Sequence, residues 1–256
     1  MVLPSALNDF LVPAGQQTSG AGADINELFK NDLLIPKIWL MQSESELIKE
    51  KKAGLKIGDF VSSLTDEKLA GPDEGLKFVV VKLFKKWQGF IVDRKGNKTF
   101  SKDHSGIMTL KNANWSYEEE LGANTLTRRQ VICAIVLLER DIIAQNQQPY
   151  CLDFYGYSKQ GGRKLVSSVK SSTSKIIDGK YQLPSYAFAY SLTAKEESND
   201  KGTFLSKDIT GIGYSSKEAV LMGRDVYEFV KNNEDQIEID ERDVVNNNDS
   251  DDREVI

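Results

Sequence analysis

Aromatic and basic side chains alternate in one apolar segment of the chain, and this combination suits contacts with a single nucleic-acid strand. Cations neutralise backbone phosphates, and flat rings stack on bases that a single strand leaves exposed. Residues 82–94 supply the candidates Lys82, Phe84, Lys85, Lys86, Trp87 and Arg94. Because alternate residues of a strand face opposite sides, one of the two rings lies beside lysines whichever face is buried.

A second segment, residues 150–170, combines the same residue types. Its candidates are Tyr155, Tyr157, Lys159, Arg163, Lys164 and Lys170. Strand alternation predicts Tyr155, Tyr157 and Lys159 on one face, with Leu152 and Phe154 in the core on the other. Arg163 and Lys164 begin a predicted helix, where free N–H groups and the helix dipole favour an anion. Each residue taken singly also fits a structural role, since tyrosines often pack in cores and lysines often solvate sheet edges.

Catalytic chemistry has few candidates in this sequence. A single histidine, His104, excludes most histidine-based triads and metal centres that need two imidazoles. The glycine-rich segments 161–164 and 211–213 match neither the P-loop nor the dinucleotide-binding fingerprint. The carboxylates available for a magnesium site are Asp59, Asp66 and Asp153, and their spacing does not select them. We therefore expect no catalytic residue, no cofactor and no metal, and a protein that is not an enzyme.

Acidic residues are concentrated at the C-terminus. Residues 234–256 hold 10 acidic and 2 basic residues, a net charge of −8, which leaves 31 basic and 28 acidic residues, or +3, in the rest of the chain. A segment this polar and charged is predicted to be disordered. Its acids and apolar end predict contacts with a protein partner, through Asp249, Asp251, Asp252, Glu254, Val255 and Ile256. A solubilising tail is the alternative.

The sequence divides into a flexible arm at 1–23, one folded domain at 24–233 and the acidic tail at 234–256. No apolar run is long enough to span a bilayer, and the N-terminus lacks the pattern of a signal peptide. We therefore expect a cytoplasmic protein, in the host cytoplasm if it is viral, with Cys133 and Cys151 as buried thiols. The oligomeric state, including a homo-oligomer, stays open.

Local patterns predict mostly strands with a few helices. Strands are predicted at 36–42, 56–63, 76–87, 89–92, 131–139, 150–157, 185–194 and 203–210, and helices after Ser43, at 162–172 and from the Ser215/Glu218 capping pair to Asn232. The mostly antiparallel order predicts an α+β protein, mainly β, built as an OB-like antiparallel barrel with added helices.

Several stretches resemble phage and bacterial single-stranded-DNA-binding proteins. They are Ile35–Ser43 (IPKIWLMQS), Gly58–Val61 (GDFV), the hairpin 190–214 with Asn199–Gly202 (NDKG), and the acidic terminus with an apolar end. The resemblance implies an OB-fold core, coating of single-stranded DNA without sequence selectivity, and recruitment of replication or recombination enzymes by the tail. Independently of the resemblance, the polyanionic tail can occupy a basic groove on its own body and so compete with DNA. This tail ends in Val-Ile, whereas the tails of such proteins end in Pro-Phe or Asp-Phe.

Two other functions remain open at this point. A structural or adaptor protein of a viral particle would use the rings as core and the tail to bind protein. A metal-dependent nuclease would use carboxylates that the sequence alone does not single out.

Overall fold

The computed structural model describes residues 34–52, 54–92, 98–107, 116–121, 124–177, 181–199, 202–233 and 238–239. Within these ranges the strands are β1 (Leu34–Ile35), β2 (Ile38–Leu40), β3 (Phe60–Ser62), β4 (Lys68–Ala70), β5 (Leu76–Val92), β6 (Lys98–Ile107), β7 (Ser116–Leu121), β8 (Asn124–Leu138), β9 (Tyr150–Phe154), β10 (Ile176–Ile177), β11 (Tyr181–Gln182), β12 (Phe188–Asn199), β13 (Gly202–Tyr214) and β14 (Glu238–Ile239). The α-helices are α1 (Glu46–Lys49), α2 (Glu139–Ile143), α3 (Lys159–Thr173) and α4 (Lys217–Asn232). The predicted N-terminal arm, Arg94 and all six predicted partner-binding residues of the tail lie outside the described residues.

The main sheet is antiparallel and is built around two long strands. Its order is β13-β12-β5-β8-β7, with β6 paired to β5 and β9 paired to β8. β5 and β8 are rich in β-branched and aromatic residues, which favour a pleated and buried backbone. The predicted strand at 131–139 is confirmed up to Leu138, and Glu139 begins α2. The mainly β, α+β fold class is therefore confirmed.

The sheet curls, but strand pairing does not close it into the predicted barrel over the ranges that the structure describes. β13 and β9 approach each other without pairing, and side chains join them instead. The Lys207 ammonium donates to the main-chain oxygen of Asp153 at 2.9 Å. Nearby, the Gln42 side chain donates to the carbonyl of Leu205 at 2.8 Å and accepts from its N–H at 3.1 Å. This contact line, which we call the seam, replaces a ladder of strand hydrogen bonds.

Two hydrophobic cores lie on opposite faces of the sheet. The first core, inside the curl, includes Phe60, Phe78, Leu152, Phe154, Leu165 and Tyr190. The second core lies on the other face, beneath α4, and includes Val79, Cys133, Leu137, Cys151, Val226 and Val230. Each fully buried side chain of this size stabilises the fold by about 1.5–3 kcal/mol. Cys133 and Cys151 are buried thiols without a disulfide, as predicted.

Several predicted element boundaries are wrong by a few residues. Ser216, and not Ser215, caps α4 by accepting a hydrogen bond from the N–H of Ala219 at 3.2 Å. Residue 45, and not Ser43, precedes α1. A 3₁₀ turn at Ser185–Ala187 precedes β12, where the sequence predicts strand.

Among the described residues, no helix combines the length and apolar character that a membrane span needs.

Candidate nucleic-acid interface

Helix α3 carries charges of one sign only, and its apolar residues lie on one face. Its sequence, KQGGRKLVSSVKSST, contains four basic residues and no acidic residue. Leu165 and Val169 are buried in the first core, while Arg163, Lys164 and Lys170 are exposed. The apolar spacing of four residues places Leu165 and Val169 on one helix face, and this face fixes the helix on the sheet. The cations therefore point away from the core.

Two adjacent glycines let α3 approach the sheet closely. A Cβ atom at Gly161 would collide with the main-chain oxygen of Lys207, and one at Gly162 would lie 2.6 Å from the Cβ of Phe154. Real Cβ atoms do not come so close to other heavy atoms, so larger residues would push the helix outward. The glycine-rich segment 161–164 thus serves helix packing in this structure.

Three cations of α3 share one edge of the helix. Lys159, Arg163 and Lys170 follow each other at spacings of four and seven residues, which return to the same side of an α-helix. We call this row the basic edge, and its Cα positions span about 16 Å along the helix. Lys164 lies on another side, where its ammonium forms an ion pair with Asp208 of β13.

Lys85 lies on the same side of the sheet as α3. It pairs with Ile132 of β8, which pairs with Phe154 of β9. Because Gly162 packs against both Ile132 and Phe154, this row of residues faces the helix. Lys85 therefore belongs to the surface that carries the basic edge.

The other predicted residues of β5 are divided between surfaces. Phe84 packs against the second core, on the face opposite α3, and alternation places Lys82 on that face too. Tyr155, which follows β9, also packs against the second core.

For Lys86 and Trp87 the structure describes the backbone, which pairs with Val131 and Gln130. The predicted residues thus do not line one groove: Lys85 and the cations of α3 lie on one side, and Lys82, Phe84 and Tyr155 on the other.

Tyr157 lies in a place that strand alternation did not predict. β9 ends at Phe154, and the 3₁₀ turn at Gly156–Ser158 takes Tyr157 and Lys159 off the strand. The Tyr157 ring stacks on Phe204 of β13, with centroids 3.8 Å apart and an interplanar angle of 27°. Its hydroxyl accepts a hydrogen bond from the Asn199 amide at 3.2 Å. We call Tyr157 and Phe204 the ring pair.

The ring pair stands at the N-terminal end of α3 and is partly exposed to solvent. Phe204 covers one face of the Tyr157 ring, and Tyr157 is nevertheless 42% exposed. Sequence reasoning missed Phe204, because only the folding of β13 against the turn after β9 brings residues 47 positions apart together. A strand of alternating residues gives no signal for such a contact.

The carboxylates considered for a magnesium site are each held by a lysine. Asp59 pairs with Lys68 at 2.9 Å and Asp66 with Lys52 at 2.6 Å. Asp153 lies 2.8 Å from the Lys207 ammonium and 3.8 Å from that of Lys37. In the parts of the chain that the structure describes, no group of three or more potential ligands stands together.

The comparisons with known proteins identify a family. The model of the Pam3 phage gp34-like family matches residues 8–236. No curated protein and no solved structure matches the chain. The family match spans most of the sequence and suggests a phage protein. The chain therefore belongs to the Pam3 phage gp34-like family.

Proposed function

We propose that this protein binds single-stranded DNA without sequence selectivity and that α3 contacts the phosphates. The observation that carries the proposal is the composition of α3, which has four basic and no acidic residues. Of the basic edge, Arg163 and Lys170 are exposed and Lys159 is half-buried. Lysine and arginine side chains that follow a row are suited to neighbouring phosphates of one strand. Lys85 extends this basic surface onto the sheet.

The ring pair favours a single strand over a duplex. Tyr157 is 42% exposed, and its ring can serve as a flat platform on which one base stacks. A base inside a duplex already stacks on its neighbours and is out of reach of such a platform. Stacking is tolerant of base identity because every base has a π-face, which accounts for the expected lack of sequence selectivity.

An OB-like description of the body is part of this proposal. OB folds are partly open antiparallel barrels that bind strands on their surface. The curled sheet with its seam is compatible with that architecture, although strand pairing leaves it open. The binding surface proposed here stands on α3 and does not depend on barrel closure.

The acidic tail is proposed to compete with DNA for the basic edge and to recruit replication or recombination proteins. β14 runs parallel to β1, and Lys37, just after β1, forms a parallel bridge with Cys151 of β9. The chain at Ile239 thus runs in the same direction as β9, toward the N-terminal end of α3. Residues 240–256 number 17 and can reach about 56 Å when extended. A polyanion attached in this way can contact the basic edge.

Membership of a phage family is compatible with a role in phage DNA replication or recombination, in the host cytoplasm, and equally with a protein of the particle. A structural or adaptor protein is thus the rival reading, and it needs no DNA binding. A nuclease is less favoured, because each carboxylate that the sequence offered is neutralised by a lysine.

Binding of labelled oligo-dT and of duplex DNA over a series of salt concentrations tests the proposal. We expect tighter binding of oligo-dT, with log K falling by about 0.7 per decade of salt for each phosphate contacted. Three or four cations then predict a slope of about −2 to −3. Absence of binding at 50 mM salt, or equal affinity for duplex, would overturn the proposal, and strand cleavage on adding Mg²⁺ would favour the nuclease.

A further inference from the structure

Lys207 of β13 contacts the junction between β9 and α3 with three separate parts of the residue. Its main-chain N–H donates to the Ser158 hydroxyl at 3.2 Å. Its carbonyl oxygen lies where a Cβ of residue 161 would collide with it. Its ammonium donates to the Asp153 carboxylate at 2.8 Å and to the Asp153 carbonyl at 2.9 Å.

The same ammonium lies 5.8 Å from the centre of the Phe154 ring. A cation at this distance from an aromatic face is attracted by the ring. The Lys207 side chain is 92% buried, as only 8% of it is exposed. A lysine is rarely buried to this extent unless it is paired, and here Asp153 supplies the partner.

Two neighbours of Lys207 along β13 also contact the turn before α3 and α3 itself. Phe204 stacks on Tyr157, and Asp208 pairs with Lys164 of α3. Lys207 therefore stands in the middle of the contacts that join β13 to the start of α3. Ser158, which accepts its N–H, is the residue immediately before the helix.

A second buried lysine provides a contrast on the same carboxylate. Lys37 is 0% exposed, and its ammonium lies 3.8 Å from Asp153. Its main-chain N–H donates to Ser63 at 2.8 Å, and it bridges to Cys151. These contacts tie Lys37 to β3 and β9, whereas those of Lys207 reach the first turn of α3.

We infer that Lys207 is the positioning residue of the α3 surface. Its ion pair with Asp153 fixes β13 beside β9. This contact holds the first turn of α3 in place, and with it the relative positions of Tyr157, Lys159 and Arg163. The inference rests on the proposed function in its consequence for DNA, while its structural half concerns the backbone of residues 157–163. Amide hydrogen exchange measures the structural half, and oligo-dT affinity measures the consequence for DNA.

Lys207→Met and Lys37→Met form the matched pair for the test, since each removes one buried ammonium from Asp153 and keeps an apolar stem. Hydrogen exchange of the amides at 157–163 and oligo-dT affinity at two salt concentrations are measured in the full-length protein. We expect Lys207→Met to speed exchange there by roughly tenfold and to weaken DNA binding by roughly tenfold at an unchanged salt slope, because the cations remain. Lys37→Met is expected to change DNA affinity less than about twofold, since the main chain of Lys37 is held by Ser63 and Cys151. Lys207→Arg keeps a cation that can donate to both Asp153 oxygens, and it is expected to restore affinity to within about threefold.

Equal loss of affinity in Lys207→Met and Lys37→Met, or unchanged exchange at 157–163 in Lys207→Met, would overturn the inference. If Lys207→Met does not fold, Ser158→Ala replaces it, because this change removes only the hydroxyl that accepts the Lys207 N–H. Faster exchange of the Lys207 and 157–163 amides in Ser158→Ala supports the inference, and unchanged exchange contradicts it. If the wild-type protein does not bind oligo-dT, the proposed function fails, whereas the exchange result still decides whether Lys207 positions α3.

Discussion

Helices α3 and α4 lie on opposite faces of the sheet and are built in the same way, yet their outer surfaces differ. Both are long enough to bury an apolar stripe, α3 in the first core and α4 in the second. Both use glycine at the point of closest approach: Gly162 against Phe154, and Gly223 against Tyr186, where an added Cβ would lie 2.6 Å from that of the tyrosine. α4 carries three basic and three acidic residues, whereas α3 carries four basic and none acidic.

Packing on the sheet therefore does not account for the charge of α3. α4 shows that a helix of this kind can be solvated with balanced charges, as in its Arg224–Asp225 pair at 3.2 Å. In α3, Lys159 and Arg163 stand four residues apart, a spacing at which like charges destabilise a helix by about 0.2–0.5 kcal/mol. Phosphates bound along the basic edge, as proposed, would offset this cost.

The largest expected effect is on the free energy of unfolding, and it distinguishes a buried ion pair next to α3 from an exposed ion pair on α4. Asp153→Ala leaves two buried ammonium groups without their carboxylate and is expected to lower the free energy of unfolding by about 3–5 kcal/mol. Asp225→Ala, in the exposed pair of α4, is expected to change it by less than about 0.5 kcal/mol. Urea denaturation of both variants measures the difference. A cost below about 1 kcal/mol for Asp153→Ala would show that the seam does not depend on this carboxylate.

A smaller effect separates the ring pair from other exposed rings. Tyr157→Ala removes the stacking platform and is expected to weaken oligo-dT binding by about 1–3 kcal/mol, or roughly 5- to 150-fold. Tyr157→Phe keeps the ring and is expected to bind nearly as well. Tyr181→Ala is the control, since Tyr181 on β11 is 40% exposed and follows the C-terminal end of α3, whereas the ring pair stands at its N-terminal end. Anisotropy titrations measure all three, and equal affinities would remove the ring pair from the account.

The smallest expected effect comes from the tail. Deletion of residues 240–256 leaves Ile239, which packs against the second core, in place. If the tail competes for the basic edge of α3, its loss tightens oligo-dT binding by roughly two- to fivefold at low salt, and screening reduces the gain at high salt. Repeating the deletion with Lys170→Gln should shrink the gain, whereas Lys231→Gln on α4 should not. Unchanged or weaker affinity after deletion would contradict competition.

Local patterns in the sequence predicted the two helices and the central strands well. The apolar stripe that ends at Asn232 and the β-branched run of β5 carry their own signal, because amphipathic period and side-chain shape act within a few residues. Alternation also placed Lys82 and Phe84 on one face and Lys85 on the other, as the registers of β5 with β8 confirm. The fold class followed from these elements.

Such patterns do not predict contacts between segments that are far apart in the sequence. The sequence predicts a barrel closed by strand pairing, but a seam of side chains from Gln42 and Lys207 takes the place of the missing ladder. Strand alternation puts Tyr157 on a strand face, whereas Gly156, with a φ of +48°, begins the 3₁₀ turn that ends the alternation. Lys207 and Asp153, 54 residues apart, meet only when the hairpin curls over β9.

The salt dependence of oligo-dT binding in two matched double variants measures whether α3 contacts the phosphates. Arg163→Gln with Lys170→Gln removes two exposed cations from α3, and Lys217→Gln with Lys231→Gln removes two from α4. If α3 contacts the phosphates, the α3 variant loses about 1.4 from the slope of log K against log salt, while the α4 variant keeps the wild-type slope. Equal slopes in the two variants would contradict it.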